Sequence, residues 1–451
     1  MPTRTAGRFM QRSRRALRPS PLDREIFTLA LPALGALAAE PLYLLADTAI
    51  VGHLGTPQLA ALALASTLLD GLATFCNFLV YGVTAQVARL HGAGERERAG
   101  AVGPQALWVA LMIGIPAAAA AAALAPVEIA VLGGSGRIAS EATMFLRIGC
   151  IGLPCALIAM AGQGYQRGLG QLRGPLVVIV VANVVNVALE LLFVYVFRWG
   201  LAGSAWGTVI AQVGMAAVFT VTLLSAPTGI FGRRPRWSLM RPLLRMGGAL
   251  VVRTASLYGA FLVASAVLAR VGSASLAAHQ IGMQMFNLLA LVLDAIAIAG
   301  QVIVGRSLGA GDGEAARASA VRMIELSVAG GIAIAIGLMA LRGVIPEAFT
   351  SDAQVIDRAR ALWPMLALMQ PFGAAVFALD GILLGAGETS YLAWSMLLSS
   401  AVYVGLALLA LALHWGVVGV WAVFNVLMLV RLITVGRRFR SGRWIRLGAC
   451  A

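Results

Sequence analysis

Two Gly-rich stretches, ARLHGAGERERA at residues 88–99 and GRSLGAGDGEAA at residues 305–316, decide the fold because they are copies of one motif. The pattern Arg-x-x-Gly-x-Gly begins at Arg89 in the first stretch and recurs 217 positions later at Arg306. A motif repeated across such a long interval predicts a chain built from two similar halves.

Two further matches support this repeat. GYQRGLGQ, which begins at Gly164, recurs at the same interval as GILLGAGE, which begins at Gly381. RWGLAG pairs with HWGVVG after one residue of slippage, which aligns Trp199 with Trp415. Several matches at nearly one interval predict an internal repeat of the kind found in many secondary transporters.

The composition places the chain in a membrane. Of its 451 residues, 60% are hydrophobic and 12% are charged, and the mean hydropathy is +0.88. A membrane-spanning helix needs about 20 consecutive, mostly apolar residues. Such runs predict an all-α integral membrane protein with twelve spans, six in each half. The spans are expected at 25–50, 57–88, 101–125, 140–167, 175–198, 201–225, 243–269, 275–305, 318–342, 353–384, 390–413 and 417–436.

The net charge of +15 is interpreted as a topology signal, and no nucleic-acid partner is expected. All basic residues are Arg, and they gather at both ends and in alternate loops, which the positive-inside rule places in the cytoplasm. We therefore expect a multi-pass protein of the cytoplasmic (inner) membrane with both termini cytoplasmic and the first span retained. The expected organisation is a basic N-terminus (1–24), an N-terminal six-helix lobe (25–225), a cytoplasmic linker (226–242), a C-terminal six-helix lobe (243–436) and a basic tail (437–451).

Polar residues inside the spans distinguish the two halves. Asp47 lies in an otherwise apolar helix, where a carboxylate is costly and usually faces a bundle interior or a watery cavity. The repeat aligns Asp47 with Ala264, Asn186 with Tyr403, and Glu190 with Ala407, so only the N-terminal half carries these groups. On three spans, polar residues recur three or four positions apart and therefore share one helix face. They are Glu40, Tyr43 and Asp47 on the first, Asn183, Asn186 and Glu190 on the fifth, and Thr208 and Gln212 on the sixth.

The chemistry of such a cluster follows from its apolar surroundings. Desolvation disfavours the charged form of a carboxyl group, so Asp47 and Glu190 are suited to hold or lose a proton. Two close carboxyls would titrate as a coupled pair. The alternative is that the polar side chains only hydrogen-bond between helices, and this alternative carries most weight for Asn183, Thr208 and Gln212.

These segments together resemble the multidrug and toxic compound extrusion (MATE) transporters. The resemblance is carried by LALPALGALAAEPLYLLADTAIVGHLGT, FCNFLVYGVTAQVARLHGAG, NVVNVALELLFV, GSAWGTVIAQ, LAAHQIGMQMFNLLALVLDAIAIAGQVIVGRSLGAGD and ALDGILLGAG, and it covers about residues 23–436. Details such as NFL at residues 77–79, TAQ at residues 84–86 and the LD pairs that end at Asp294 and Asp380 are most similar to the branch of DNA-damage-inducible protein F. The resemblance implies twelve helices in two six-helix lobes forming a V, with alternating access driven by inward flow of protons or sodium.

The resemblance also implies roles for single residues. It places the proton- or cation-coupling site at Asp47, Asn186, Glu190 and Thr208, with Glu190 standing where the family usually has Asp. In the second half, Asp294 and Asp380 match acidic positions of the branch, whereas Gln301 stands where a Glu is often found. Candidates for substrate contact or gating are Glu40, Tyr43, Asn183, Asp294, Asp380 and Gln301. The alternative for Asp294 and Asp380 is an ion pair with an Arg near a helix end.

Other polar and adaptable side chains receive structural interpretations. His279 is expected to hydrogen-bond in a helix interface. Met283, Met285 and Phe286 are expected in packing or lipid contact, but they would also suit a promiscuous apolar cavity because Met adapts to irregular ligands. The four Cys show neither pairing nor metal-ligand spacing, so no metal site is expected.

The sequence therefore predicts a monomeric secondary transporter that exports amphiphilic, cationic organic solutes in exchange for protons. A sodium-coupled exporter of the same fold and a flippase for lipid-linked precursors are the alternatives. No enzyme activity, catalytic residue or cofactor is expected, because the chain contains no H-E-x-x-H motif, no P-loop and no nucleophile elbow.

Overall fold

A computed structural model describes residues 21–449, and all regular structure within that range is helical. The helices are α1 (Pro21–Gly52), α2 (Thr56–Cys76), α3 (Phe78–Gly92), α4 (Arg96–Val131), α5 (Gly136–Gly168), α6 (Arg173–Leu191), α7 (Leu201–Leu224), α8 (Trp237–Val271), α9 (Ser273–Gly309), α10 (Gly313–Ala340), α11 (Ile345–Phe349), α12 (Ala353–Gly385), α13 (Thr389–Ala412) and α14 (Gly416–Arg440). A π-helix, Leu192–Val196, continues α6, and a 3₁₀ turn, Gly229–Phe231, lies in the linker. Most of the expected basic N-terminus and Cys450 lie outside the described residues.

The expected twelve spans are confirmed within the described range. Twelve helical segments are long and apolar enough to cross a membrane. Three local details differ from the expected spans. The second span is broken at Asn77 into α2 and α3, the fifth ends in the π-helix, and the short α11 precedes the tenth. The apolar run of a span continues through such irregularities, so hydropathy alone does not reveal them.

The chain divides into two compact units. Unit N comprises Pro32–Thr254 together with the end of the chain from Gly448, and unit C comprises Ala255–Leu447 together with the part of α1 that ends at Leu31. In unit N the central helix is α5, which packs on α2, α3, α4 and α7. In unit C the matching helix, α12, packs on α9, α10 and α14. Of the three boundaries between the units, two fall inside a helix, α1 or α8, and the third falls in the segment after α14.

Ion pairs hold the start of α1 in unit C. Arg322 donates from two guanidinium nitrogens to the Asp23 carboxylate at 2.7 and 2.8 Å, and Arg306 pairs with Glu25. Two parallel hydrogen bonds fix both the distance and the orientation of an Arg–carboxylate pair. The first turn of α1 is therefore attached to the helices of the second half.

In unit N, the position equivalent to Arg322 also holds a neighbouring segment of the chain by hydrogen bonds. Gln105, 217 residues earlier, donates to the Arg234 carbonyl at 2.9 Å and accepts from the Arg236 amide at 2.8 Å. These two residues immediately precede α8. The same repeat position therefore holds the first turn of α1 in unit C and the residues before α8 in unit N. It does so through an ion pair of Arg322 in unit C and through hydrogen bonds of a neutral amide, Gln105, in unit N.

Backbone conformation repeats along with the motifs. Arg198 and His414, which precede the two aligned Trp residues, both adopt a positive φ, 59° and 57°. A positive φ is uncommon outside Gly, so its presence at both positions is not explained by residue type. Gly170 and Gly387 likewise share a φ of 78°. These matches confirm that the halves are copies of one fold.

Close packing explains why the second repeated motif begins with Gly. A Cβ built on Gly381 of α12 would lie 2.1 Å from the Ala297 carbonyl oxygen of α9. At the equivalent place in unit N, a Cβ on Gly164 would lie 2.7 Å from the Val80 carbonyl oxygen. Small residues allow membrane helices to approach each other backbone to backbone.

This contact predicts that Gly381→Ala lowers the stability of unit C. The added methyl group would overlap a backbone atom, and overpacking costs about 1–3 kcal/mol. Gly373→Ala in the same helix is the matched control, because a Cβ there meets nothing within 4 Å. Thermal unfolding of the detergent-purified protein should show a lower midpoint for Gly381→Ala alone. Equal midpoints for the two variants would contradict the account.

Candidate functional site

Three helices of unit N bring their polar residues together. Tyr43 and Asp47 lie on α1, Asn186 and Glu190 on α6, and Thr208 on α7. Glu190 is fully buried and Asp47 is 4% exposed. Each helix carries these side chains on the one face predicted by its three- or four-residue spacing. We call these five residues together with Ser204 the carboxyl cluster.

Asp47 is held by a residue that the sequence analysis did not single out. The Ser204 hydroxyl, fully buried on α7, donates to Asp47 Oδ1 at 2.8 Å. A buried carboxylate needs such donors because it has left water. Ser204 precedes Thr208 by four residues in GSAWGTVIAQ, so the helical spacing that indicated Thr208 applies to Ser204 as well.

Thr208 connects all three helices. Its Oγ1 lies 3.0 Å from the Tyr43 hydroxyl oxygen, accepts from Asn186 Nδ2 at 3.3 Å and lies 3.4 Å from Glu190 Oε1, to which it can donate. A hydroxyl group is both donor and acceptor, so it can serve partners of different type. Thr208 is thus the central hydrogen-bonding group of the cluster.

The glutamate at position 190 still reaches the aspartate on α1. The Asp47 and Glu190 carboxyls are close enough to interact electrostatically. Room for the longer side chain comes from Gly207, where a Cβ would lie 3.1 Å from Glu190 Cγ. Two neighbouring buried carboxyls repel each other when both are ionised.

Two polar atoms in the cluster have no hydrogen-bond partner. They are Glu190 Oε2 and Asn186 Oδ1, which lie four residues apart on α6. An ionised Glu190 and an amide carbonyl are both acceptors, so neither can satisfy the other. Both oxygens therefore lack a hydrogen-bond donor, and protonation would turn the Glu190 carboxyl from an acceptor into a donor.

The π-helix directly follows Glu190. Within it, the Tyr195 hydroxyl donates to the Ile50 carbonyl of α1 at 2.8 Å. π-Helical turns are rare and frequently occur at functional sites. Here the turn joins α6 to α1 beyond the carboxyl cluster, so the two helices carrying Asp47 and Glu190 are connected at a second level.

The remaining candidates of the first half lie beside the cluster. Asn183 donates to the Ala39 carbonyl of α1 at 3.0 Å, which is a helix-to-helix contact. The Glu40 side chain is exposed, and the hydrogen bonds described above for the carboxyl cluster do not include it. Tyr43 alone of these three substrate candidates enters the cluster, through Thr208.

The candidates of the second half lie in unit C and do not join the carboxyl cluster. Asp294 and Gln301 lie on α9, half-buried and buried respectively. Asp380 of α12 forms a buried ion pair with Arg431 of α14, and the side chains are 6% and 5% exposed. This pairing gives Asp380 a counter-charge within its own unit.

Comparison with known proteins identifies the family. The MatE family model matches residues 32–192 and 249–409, which are the two halves of the repeat. The chain belongs to the MatE family.

Relatives and solved structures agree with this assignment. The chain is 29% identical to "Protein DETOXIFICATION 44, chloroplastic" of Arabidopsis thaliana, over 93% of this chain and 83% of that one. It is 27% identical to "DNA damage-inducible protein F" of Escherichia coli, over 94% of each chain. A structure described as an outward-facing multidrug resistance MATE family transporter superposes with a TM-score of 0.82 at 22% identity, over 95% of this chain and 96% of that chain.

Membership settles the general class. MatE proteins are multi-pass membrane transporters of small organic solutes and are not enzymes, and the twelve apolar helices agree. The likeness to solved structures, at this identity, shows the fold alone. The expected family and the expected all-helical fold are therefore confirmed.

The connections of Thr208 predict a large cost for its removal. Thr208→Val deletes the hydroxyl that Tyr43, Asn186 and Glu190 share, and each buried group left unsatisfied costs about 1–3 kcal/mol. Thr222→Val is the matched control on α7, because the Thr222 hydroxyl bonds only the Val218 carbonyl of its own helix and is exposed. Thr208→Val should melt at a lower temperature in detergent while Thr222→Val melts as the parent does. A parental midpoint for Thr208→Val would show that the hydroxyl does not hold the cluster.

The Asp380–Arg431 pair predicts non-additive effects on stability. Arg431→Met leaves a carboxylate buried without its ion-pair partner, which costs about 3–5 kcal/mol. The double variant Asp380→Leu/Arg431→Met removes both charges and should recover most of that loss. Thermal midpoints of the parent, both single variants and the double variant measure the coupling. Additive effects would show that the two side chains do not depend on each other.

Proposed function

We propose that this MatE transporter is a proton-coupled antiporter that exports amphiphilic organic solutes, cationic ones among them. The observation that carries the proposal is the pair of interacting buried carboxyls, Asp47 and Glu190, on two helices of unit N. Buried acids in a membrane helix are costly and typically mark an ion or proton path. The carboxyl cluster is the proposed coupling site.

Protonation would rearrange the hydrogen bonds of the cluster. Ionised Asp47 accepts from Ser204, whereas protonated Asp47 gains a donor of its own. A proton on either Asp47 or Glu190 can be donated to the other carboxyl, so the repulsion of the ionised pair is replaced by a hydrogen bond. Because the three helices meet through Thr208, a change of proton number changes the contacts among α1, α6 and α7.

Coupling requires that proton and solute favour different conformations. A ligand shifts an equilibrium only by its differential affinity for the two states. We propose that solute binds from the cytoplasm with the cluster deprotonated. Proton entry from outside then favours the conformation that releases solute outward. We propose that the protein acts as a monomer in the cytoplasmic membrane, and the Arg-rich loops and ends support a cytoplasmic location of both termini.

Proton coupling is favoured over sodium by the unpartnered oxygen of Glu190 together with its neighbouring carboxyl. One proton shared between the Asp47 and Glu190 carboxyls removes the repulsion between two ionised groups. Sodium adds the same charge as a proton but needs several oxygen ligands in fixed positions around it. A flippase for lipid-linked precursors would share the fold, and its substrates form a separate arm of the transport test.

The proposal predicts that Asp47→Asn abolishes proton-driven flux while leaving expression and membrane insertion intact. The amide cannot release a proton, so the side chain at position 47 stays uncharged. Asp357→Asn, the same change at an exposed position of α12, should transport as the parent does. Flux of a fluorescent organic cation in proteoliposomes under an imposed pH gradient measures the effect.

The same assay discriminates among the alternatives. An imposed sodium gradient without a pH gradient should drive no flux. Sodium-driven flux, or full proton-driven flux in Asp47→Asn, would overturn the proposed coupling. Movement of a labelled lipid-linked precursor, with no movement of the organic cation, would favour the flippase instead. Glu190→Asp should retain part of the flux because the carboxyl remains but withdraws by one methylene.

A further inference from the structure

The segment that joins the two halves presents exposed Arg side chains at the start of α8, all of them in unit N. Three of these residues precede the helix and two lie in its first turns. The first residue of the helix is an exposed Trp. We call this group the basic patch, and its members are Arg233, Arg234, Arg236, Trp237, Arg241 and Arg245.

Two side chains of α4 hold the backbone of this segment in place. Trp108 Nε1 donates to the Arg233 carbonyl at 3.0 Å. Gln105, which is fully buried, bonds the Arg234 carbonyl and the Arg236 amide. All three bonds use backbone atoms of the segment, so the guanidinium groups remain at the surface. The position of the charges before α8 is therefore set by α4.

The start of α8 continues the basic patch along one helix face. Trp237, Arg241 and Arg245 follow one another at intervals of four residues, which places them on the same face. On the other side of the helix, Met240 and Leu243 are buried. The first turns of α8 thus pack their apolar face into unit N and expose their basic face.

Exposed apolar side chains accompany the charges. Ile230 is 82% exposed, Trp237 is 64% exposed and Trp108 is 40% exposed. Trp is enriched where a membrane meets water, because its ring is apolar and its N–H group is polar. Arg side chains near the ends of spanning helices extend their charge to the same level. This combination is typical of a surface that contacts lipid headgroups.

The charges of the patch have little compensation from the protein. One acid, Glu97 of α4, contacts Gly229 beside the patch. In the part of the chain that the structure describes, none of the five Arg residues of the patch forms an ion pair. A guanidinium group can bind a phosphate group through two parallel hydrogen bonds. The patch is therefore complementary to an anionic phosphate group.

We propose that the basic patch binds the phosphate group of an anionic phospholipid at the membrane surface. The guanidinium groups donate to the phosphate oxygens, and the acyl chains lie along the exposed side chains of Ile230 and Trp237. A soluble phosphate would match the charges but leave those apolar side chains in water. Because α8 continues from unit N into unit C, the lipid binds a helix that both units share.

Native mass spectrometry of the full-length, delipidated protein in detergent tests the site. The probes are palmitoyl-oleoyl phosphatidylglycerol, which is anionic, and phosphatidylcholine with the same acyl chains, which has no net charge. Phosphatidylglycerol should bind more tightly, and its affinity should fall as ionic strength rises because salt screens exposed charges. Soluble glycerol phosphate at an equal concentration should not displace it. Equal affinity for the two lipids, or displacement by glycerol phosphate, would overturn the assignment.

A pair of variants with equal charge changes locates the binding. Arg241→Gln/Arg245→Gln removes two charges from the patch and should weaken phosphatidylglycerol binding by about tenfold, because each Arg near a membrane surface adds to the attraction for anionic lipid. Arg317→Gln/Arg443→Gln removes the same charge at exposed positions of unit C and should bind the lipid as the parent does. An equal loss in both variants would show that overall charge, and not the patch, attracts the lipid.

Thermal unfolding gives a second readout of the same site. A ligand that binds only the folded protein raises the midpoint of unfolding. Phosphatidylglycerol should raise the midpoint of the parent and of Arg317→Gln/Arg443→Gln more than phosphatidylcholine does. This difference should shrink in Arg241→Gln/Arg245→Gln, whose midpoint without lipid should equal that of the parent. An undiminished difference in that variant would contradict the site.

Discussion

The burial of two interacting carboxyl groups, Asp47 and Glu190, is the constraint on which the rest of unit N depends. In an apolar bundle these groups need donors, and Ser204 and Thr208 of α7 supply them. The close approach at Gly207 brings α7 against α6 beside Glu190, and the Tyr195 hydroxyl of the π-turn joins α6 to α1. The helices of this unit are thus arranged around the chemistry of one site.

The two halves share a backbone and differ in what they bury. Positive φ values and close helix contacts recur at matching positions, so the repeat preserves the framework. At the site itself the acid of one half is replaced by Ala264 in the other, and hydroxyl and amide groups are replaced by aromatic rings. The two units therefore bury different chemistry at the same repeat positions, polar in unit N and aromatic in unit C.

Much of the fold could be predicted from the sequence, because membrane spans and repeated Gly motifs can each be recognised in a short stretch of residues. The twelve spans and the two halves are examples. The faces carrying Asp47, Asn186, Glu190 and Thr208 also followed from helical spacing. Whether those faces meet depends on packing between segments far apart in the sequence, and the spacing of residues along one helix gives no information about that packing.

Other features needed the three-dimensional arrangement. The pairing of Asp380 with Arg431 joins residues on α12 and α14, and the sequence left the choice of partner open. The π-helix and the break at Asn77 lie within apolar runs that read as continuous. The four-residue spacing that indicated Thr208 also applies to Ser204. A Ser in a segment rich in small residues, however, does not by itself indicate a functional site.

The central claim is that solute binding and the proton content of the carboxyl cluster are linked, and proton release tests it most directly. Solute is added to detergent-purified protein in weakly buffered solution containing a pH indicator. Linkage predicts that proton release rises in proportion to bound solute, and that the Asp47→Asn/Glu190→Gln variant binds solute without releasing protons. Undiminished proton release from that variant, or solute binding without release in the parent, would contradict the account.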